Sequence, residues 1–257
     1  MNEHIVIITG PAPLAEQVAG QIPDEAILLA VDGGLDAALA AGLRPSGLIG
    51  DLDSVSSDGL AWAEAHATIA RHPADKDATD TELALAFAAD MNPARVTMIG
   101  GGDRLDHGLA AIGALGAPPL TNVPVLDAWW EGQHLDVLHG PDRRTLSLAP
   151  GSIVSLLALH GPVGKVSIDG VRWPLDQNDL PALVGLGVSN EVLDHPELND
   201  DDNSHESDDA GAAGDVRVEV SSGVLTIFDV PASTDPPFDP RQHTSDPPTE
   251  STPQEST

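Results

Sequence analysis

The sequence predicts an α/β protein with two folded domains. The first, over residues 1–140, is expected to be mostly parallel, because short β-branched runs alternate with helical segments up to about residue 118. The second, over residues 141–230, is expected to be a smaller antiparallel β-sandwich, because its apolar runs are short and separated by turns, without a long helical pattern. A third observation is that the strands of the first domain end in turns rich in glycine or aspartate.

Each predicted strand of the first domain is an apolar run that stops at such a turn. We expect strands at residues 4–9, 26–31, 47–49, 68–70 and 95–99. Helices are expected at residues 13–20, 35–41, 56–67 and 105–115, and a further amphipathic helix follows Thr79. Ser56 or Ser57 is a suitable N-cap for the third helix. Thr79, with Glu82 three residues later, forms the pattern of a capping box.

The chain beyond residue 118 is predicted to form short antiparallel strands, with the domain boundary between residues 119 and 145. The expected strands are residues 124–128, 133–138, 144–148, 152–157 and 164–169. Residues 216–220 and 224–228, joined across Ser221, Ser222 and Gly223, are predicted to close this unit as a hairpin.

Two polar segments are predicted to be disordered. Residues 194–215 are rich in Asp, Glu, Asn, Ser and Gly and contain no Lys or Arg, and residues 231–257 are rich in Pro, Ser, Thr and Asp. Neither segment can bury enough apolar surface to offset the entropy of ordering it. We therefore expect an acidic insertion within the second domain and a C-terminal tail.

The composition excludes several classes of protein. With no cysteine, the 257-residue chain cannot form a disulfide scaffold or a thiolate metal site. A net charge of −30 with only 11 Lys and Arg argues against nucleic acid as a partner. Neither a membrane-spanning run nor the basic start of a signal peptide is evident. We therefore expect a cytoplasmic protein with no membrane partner.

The most informative stretch is the acidic turn Gly50-Asp51-Leu52-Asp53, directly after a predicted strand. In an extended turn, residues two apart project to the same side, so Asp51 and Asp53 could present their oxygens to one point. Two carboxylates held close repel each other unless one is protonated or a cation lies between them. A hard divalent ion such as Mg²⁺, completed by substrate phosphates, is one solution. An ordinary acidic surface turn is the alternative.

Three further turns carry candidate residues, and each also has a purely structural interpretation. Asp32, Gly33 and Gly34 could form a simple strand-to-helix turn. Asp77 and Asp80 are near a helix start, where acidic residues favour the helix dipole. The glycines at 100–102 could end a strand or let the backbone approach a phosphate, with Arg104 as a phosphate contact and His107 as an ordinary helix residue.

Taken together, these stretches resemble one family, the thiamine pyrophosphokinases, also called thiamine diphosphokinases. The matching stretches are VDGGLDAALAAGLRPSGLIGDLDSV, DKDATDTELAL and GGDRLDHGLAAIGAL, with SIDGVRWPLDQNDL and GVSNEV in the second domain. The resemblance covers roughly residues 5–230 apart from the acidic insertion. It implies an α/β nucleotide-binding domain followed by a β-sandwich thiamine-binding domain, working as a homodimer.

The resemblance also implies an activity and a set of residues. The expected reaction is transfer of the pyrophosphoryl group of ATP to thiamine, giving thiamine diphosphate and AMP, with Mg²⁺ as cofactor. Asp51, Asp53 and Asp80 would be the catalytic, metal-holding residues, and the thiamine site would include Ser189 and Asn190. The ATP-binding residues would be Asp32, Gly33, Gly34, Asp77, Thr79, Arg104, Asp106 and His107.

Two other functions remain open from the residues. One is a different metal-dependent phosphate enzyme, such as a phosphatase with an aspartyl nucleophile, although those place the acidic pair after the first strand rather than the third. The other is a thiamine-binding or regulatory module of the same fold without catalysis. The joint presence of Asp51, Asp53, Asp80 and Arg104 argues against it.

Overall fold

The computed structural model describes residues 3–102, 104–194 and 214–230. The first half alternates strands and helices, as predicted. Its strands are β1 (His4–Thr9), β2 (Ile27–Val31), β3 (Gly47–Gly50), β4 (Thr68–Arg71) and β5 (Arg95–Gly100). Its helices are α1 (Glu16–Ala19), α2 (Gly34–Ala40), α3 (Ser57–His66), α4 (Asp80–Asp90) and α5 (Leu105–Ala114), and a 3₁₀ turn follows at Pro118–Asn122.

The second half is built from strands. They are β6 (Val125–Trp130), β7 (Gln133–His139), β8 (Asp142–Ser147), β9 (Ile153–Leu157), β10 (Val163–Asp169), β11 (Leu175–Leu180), β12 (Asn190–Glu191), β13 (Asp215–Val220) and β14 (Val224–Val230). Of the predicted insertion 194–215, the structure describes only the ends, and Asp215 already belongs to β13. The rest of that insertion and the predicted tail 231–257 lie outside the described residues.

Two sheets organise the described part of the chain. The larger has ten strands in the order β12-β9-β14-β7-β6-β5-β1-β2-β3-β4, and the smaller has four in the order β11-β10-β13-β8. From β6 to β4 the neighbours are parallel, whereas β7, β14, β9 and β12 pair antiparallel. The predicted fold class, a mostly parallel α/β unit followed by an antiparallel sandwich, is confirmed, and one continuous sheet runs through both.

Both predicted helix caps are confirmed. Ser56 is the N-cap of α3, and its hydroxyl accepts a hydrogen bond from the backbone N–H of Gly59 at 3.0 Å. Thr79 and Glu82 form the complete capping box of α4. Such caps bind backbone N–H groups that have no partner within the helix, and they fix where α4 begins.

The predicted hairpin of residues 216–220 and 224–228 is wrong. β13 pairs with β10 and β8 in the smaller sheet, whereas β14 pairs with β7 and β9 in the larger one. The chain changes sheet at Ser221–Gly223, where Gly223 has φ +84° and an added Cβ would lie 2.6 Å from the carbonyl oxygen of Pro162. β13 is apolar on one face only, whereas β14 is apolar on both faces and packs against both layers. Two short apolar strands joined by a glycine turn fit a sandwich as well as a hairpin.

Apolar layers cover both faces of the large sheet. On one face, α4, α5 and the 3₁₀ turn pack Leu85, Leu115 and Leu120 onto β1, β5 and β6. On the other face, α1 and α2 cover the parallel strands, and the smaller sheet packs onto β7, β9 and β14. The carboxyl ends of β1, β2 and β3 remain open between these layers, which is where ligands bind in such sheets.

A buried ionic network lies on β5, β6, β7 and β14, near the middle of the large sheet. Asp127 is fully buried and accepts hydrogen bonds from Arg95 and from the Thr97 hydroxyl. His134 contacts Asp127 through Nε2 at 3.3 Å and Asp229 through Nδ1 at 3.0 Å. Burial opposes the charge on His134, but these hydrogen bonds raise its pKa to about 10. His134 is therefore a cation at neutral pH and offsets part of the carboxylate charge.

Candidate active site

Three carboxylates converge at the carboxyl ends of the parallel strands. Asp32 follows β2, Asp51 follows β3, and Asp80 is the first residue of α4. One oxygen from each lies within 4.8 Å of the other two, and all three side chains are partly buried. Within the described residues, this is the one group of three or more His, Cys, Asp or Glu side chains close enough to share a metal ion.

Local backbone geometry holds Asp32 and Asp51 together. Asp32 adopts the left-handed conformation (φ +46°), and its Oδ1 accepts a hydrogen bond from the backbone N–H of Leu52 at 3.0 Å. Gly50 leaves the necessary space, since an added Cβ there would lie 1.8 Å from Asp32 Oδ1. Only glycine fits at this position while Asp32 keeps its orientation.

The acidic turn itself is not extended. Leu52 is left-handed (φ +70°) and buried, and the backbone N–H of Asp53 donates to Asp51 Oδ1 at 3.1 Å. Asp53 is exposed and lines the same cavity outside the three-carboxylate group. The structure therefore groups Asp51 with Asp32 and Asp80, which come from neighbouring elements rather than from the same turn.

The electrostatics of this group favour a bound cation. Burial raises the pKa of Asp32 to about 6, and the nearby Asp80, Asp51 and Asp53 carboxylates add to the rise. Asp80 Oδ1 is buried and has no hydrogen-bond partner among the described atoms. A buried oxygen without a partner is costly, and a hard divalent ion would both supply that partner and offset the like charges.

These carboxylates lie in a cavity of about 650 Å³ between β1–β3, the start of α4 and the start of α5. Lys76, Arg104 and His107 line it as groups that carry or can carry positive charge. Lys76 Nζ lies 2.9 Å from Asp80 Oδ2, and Arg104 forms an exposed ion pair with Asp106 at 2.7 Å. Carboxylates and cations thus line one cavity, which is the arrangement that binding a metal-bound polyphosphate requires.

Some of the remaining predicted ATP-binding residues line the acidic cavity, and some do not. Gly33, Asp77 and Thr79 line the cavity. Gly34 is buried where α2 crosses β1, and an added Cβ would lie 2.3 Å from the carbonyl oxygen of Ile8. Gly34 therefore serves helix packing, while Asp106 reaches the cavity only through its pairing with Arg104.

Ser189 and Asn190 lie elsewhere, at the far end of the large sheet. Asn190 is 3% exposed, its side-chain oxygen accepts from the backbone N–H of Trp173 at 3.0 Å, and its amide donates to the carbonyl of Trp173 at 2.7 Å. Trp173 itself is 59% exposed, with the Arg172 guanidinium 5.6 Å from its ring centre. Ser189 is left-handed (φ +59°), and its backbone N–H donates to Ser155 Oγ.

The sheet separates this region from the carboxylates. Eight strand spacings lie between β12, which carries Asn190, and β3, which precedes Asp51. At about 4.8 Å per spacing, the path along the sheet is on the order of 38 Å. One chain therefore does not bring Ser189 and Asn190 to its own carboxylate group.

Models of two protein domains match the chain, and both domains belong to one family. "Thiamin pyrophosphokinase, catalytic domain" matches residues 21–125, which include the three carboxylates, and "Thiamin pyrophosphokinase, vitamin B1 binding domain" matches residues 143–199, which include Trp173 and Asn190. The chain belongs to the thiamin pyrophosphokinase family. The three carboxylates and the Trp173 region thus lie in matched parts of the chain.

Individual members of the family align with most of this chain. The thiamine pyrophosphokinase of Bacillus subtilis (strain 168) is 25% identical over 198 residues, 73% of this chain and 88% of that protein. A crystal structure of thiamine pyrophosphokinase from Bacillus subtilis gives a TM-score of 0.68 at 21% identity, covering 89% of this chain and 99% of that one. A solved thiamin pyrophosphokinase from Candida albicans gives 0.65 at 13%, covering 89% of each chain. The structural matches confirm the fold.

The sequence alone did not single out two residues of the candidate sites, Lys76 and Trp173. Lys76 is in a stretch that resembles the family, and it could have been noticed because the chain has only 11 Lys and Arg. Trp173 was also within a matching stretch, and only the structure shows that it is exposed and held by Asn190. Large exposed aromatic side chains beside polar groups are typical of binding sites.

Proposed function

We propose that the chain is a thiamine diphosphokinase that transfers the pyrophosphoryl group of ATP to thiamine, giving thiamine diphosphate and AMP. The observation that carries this proposal is the convergence of Asp32, Asp51 and Asp80 within 4.8 Å in a cavity large enough for a nucleotide. Membership of the thiamin pyrophosphokinase family supports the same reaction. We assign the nucleotide to residues 1–140 and thiamine to residues 141–230.

Mg²⁺ fits the donor set of the acidic cavity. Asp51 and Asp80, with Asp32 beside them, offer the hard carboxylate oxygens that this ion prefers, and Asp80 Oδ1 lacks any other partner among the described atoms. Asp53, exposed at the cavity wall, is placed to contribute through an intervening water. When bound, the ion would neutralise charge on the phosphates of ATP.

The other residues of the cavity orient the triphosphate. Lys76, Arg104 and His107 line the side facing α4 and α5, where they can contact phosphate oxygens that the carboxylates would otherwise repel. In the reaction, the hydroxyethyl oxygen of thiamine bonds to the β-phosphorus and releases its proton to solvent, the bond from that phosphorus to the α-phosphate oxygen breaks, and AMP leaves. Positioning and charge neutralisation account for most of the catalysis of such transfers.

The thiamine site is proposed at Trp173. Its exposed ring offers a face for stacking with the aromatic rings of thiamine. Asn190 holds the backbone of Trp173 through two hydrogen bonds, and Ser189, which precedes Asn190 in the chain, is exposed. Asn190 thus contributes by positioning Trp173, and the Ser189 hydroxyl is the group of the pair that can contact thiamine directly.

We further propose that a complete site needs two chains. A separation on the order of 38 Å along the sheet keeps Trp173 of one chain from its own carboxylates. Two exposed apolar patches support a homodimer: Leu105 and Leu109 on α5, beside the acidic cavity, and four residues beside Ser189, namely Leu183, Val184, Leu186 and Val188. Covering each patch with the other would bring Trp173 of one chain toward the cavity of its partner.

No described helix is long and apolar enough to span a membrane. The proposed donor, ATP, is abundant in the cytoplasm, which supports a cytoplasmic location for the reaction. The proposed partners are therefore ATP, thiamine and a second copy of the chain, with no role for nucleic acid or a membrane.

A product assay tests the proposed reaction. The protein is incubated with ATP, Mg²⁺ and thiamine, and the nucleotide and thiamine products are quantified together. We expect AMP and thiamine diphosphate in equal amounts, with none formed when Mg²⁺ is chelated. ADP in place of AMP would show a different transfer, and thiamine binding without either product would identify a non-catalytic binding protein.

A further inference from the structure

A second cavity, of about 760 Å³, lies on the other side of the glycine-rich loops from the carboxylates. The loop between β1 and α1 forms one wall with Pro13 and Leu14, and α1 contributes Val18. The ends of β5 and β6 form the other wall with Ile99 and Trp129. The walls are thus mainly apolar, as in sites for flat organic rings.

The consecutive residues Trp129 and Trp130 at the end of β6 serve different cavities. Successive side chains of a strand project to opposite faces of the sheet. Trp129 accordingly lines the second cavity and Trp130 lines the acidic one. The ring of Trp129 also contacts the imidazole of His134, with ring centres 4.8 Å apart, which limits its movement. A partly buried indole of fixed orientation is well suited to stacking with an aromatic ligand.

Glu131 supplies the charged group of the second cavity. It is exposed, and it adopts the left-handed conformation (φ +52°) in the tight turn that continues through Gly132 (φ +82°) to β7. This turn places the Glu131 carboxylate at the cavity lining beside Trp129. Because a carboxylate only accepts hydrogen bonds, it selects a ligand that carries an amino group or a positive charge.

The two cavities share a thin wall, to which Pro11 and Gly102 contribute on both sides. The loops that form it are in backbone contact, because a Cβ added to Gly10 would lie 2.4 Å from the carbonyl oxygen of Gly101. The wall lies between the neighbouring strands β1 and β5, which continue into α1 and α5 on opposite faces of the sheet. Ligands of such sheets bind across this point.

We propose that the second cavity binds a flat, amino-substituted heteroaromatic ring, stacked on Trp129 with its amino group donating to Glu131. The choice of ring rests on the proposed function, because the adenine of ATP has this chemistry and the cavity lies within the domain assigned to the nucleotide. The aminopyrimidine of thiamine, assigned above to Trp173, has the same chemistry, and the test separates the two. Pro11 and Gly102 line both cavities, so that a ring in the second cavity would lie against the same residues as a ligand in the acidic one.

Calorimetric titration tests the proposal without requiring turnover. The background is the Trp173→Leu variant without Mg²⁺, so that neither the proposed Trp173 site nor metal-bound phosphate contributes. Thiamine and AMP are titrated separately into this background and into the same background carrying Trp129→Leu, Glu131→Gln or Leu14→Trp. The last substitution fills the cavity, and Glu64→Gln, which removes an exposed carboxylate from α3, is the matched control.

We expect at least one ligand to bind about fivefold or more weakly when Trp129 is replaced, since stacking on an aromatic side chain is worth about 1–3 kcal/mol. Glu131→Gln and Leu14→Trp should weaken the same ligand, and Glu64→Gln should not. Loss confined to thiamine identifies the aminopyrimidine as the occupant, and loss confined to AMP identifies adenine. Unchanged binding of both ligands to folded Glu131→Gln and Leu14→Trp variants overturns the proposal, whereas the proposed reaction is judged separately by AMP formation in the wild-type protein.

Discussion

Mixed dimers of two inactive variants should recover activity if the site is shared between chains. Asp51→Asn removes a carboxylate from the acidic cavity, and Trp173→Ala removes the proposed thiamine platform on the order of 38 Å away along the sheet. In a symmetric dimer with shared sites, a mixed pair has one site with both defects and one with neither. Such a pair should therefore show about half of the wild-type activity, although each parent dimer is nearly inactive.

The assay uses two differently tagged copies expressed together, so that only mixed dimers pass both affinity steps, followed by measurement of AMP formation. The matched control combines Asp51→Asn with Asp80→Asn, which fall in the same cavity and leave one defect in each site. This second pair should remain inactive. Absence of recovery in the first pair, or an active monomer in sedimentation, would refute the shared site.

Three further outcomes are expected. Asp51→Asn, in a partly buried position at the end of β3, should lower turnover by about 10²-fold or more while the melting temperature changes little, as measured by steady-state kinetics and thermal denaturation. Asn190→Ala should raise the Michaelis constant for thiamine by up to about tenfold, because the Trp173 backbone loses two hydrogen bonds. The Michaelis constant for ATP should stay nearly unchanged, and equal effects on both substrates would contradict the assignment. The contribution of His134 to the free energy of unfolding should be fully present below pH 6.5 and lost as pH rises through about 10, because its pKa is raised in the folded state. Urea denaturation at pH 6, 8 and 10 should show this loss in the wild-type protein and a weaker pH dependence in His134→Gln.

Much of the fold follows from local sequence patterns. The strands of the first half and the caps at Ser56 and Thr79 were predicted because apolar runs, turn residues and N-cap side chains act within a few residues of each other. The fold class and the family were predictable for the same reason, since each matching stretch is contiguous. The placement of β13 and β14 in separate sheets was not predictable, because a short apolar strand does not state which strands it will pair with.

Only the tertiary structure decided how the site residues group. The parallel order β1-β2-β3 brings Asp32, Asp51 and the start of α4 to one place, although Asp32 and Asp80 are far apart in sequence. The turn at Leu52 is left-handed rather than extended, and Asp53 lies outside that group, which the extended-turn argument could not foresee. Asn190 became a support for Trp173 because strand pairing buries it beside that backbone. Sequence thus determined which chemical groups each turn carries, and long-range strand order determined which of them meet.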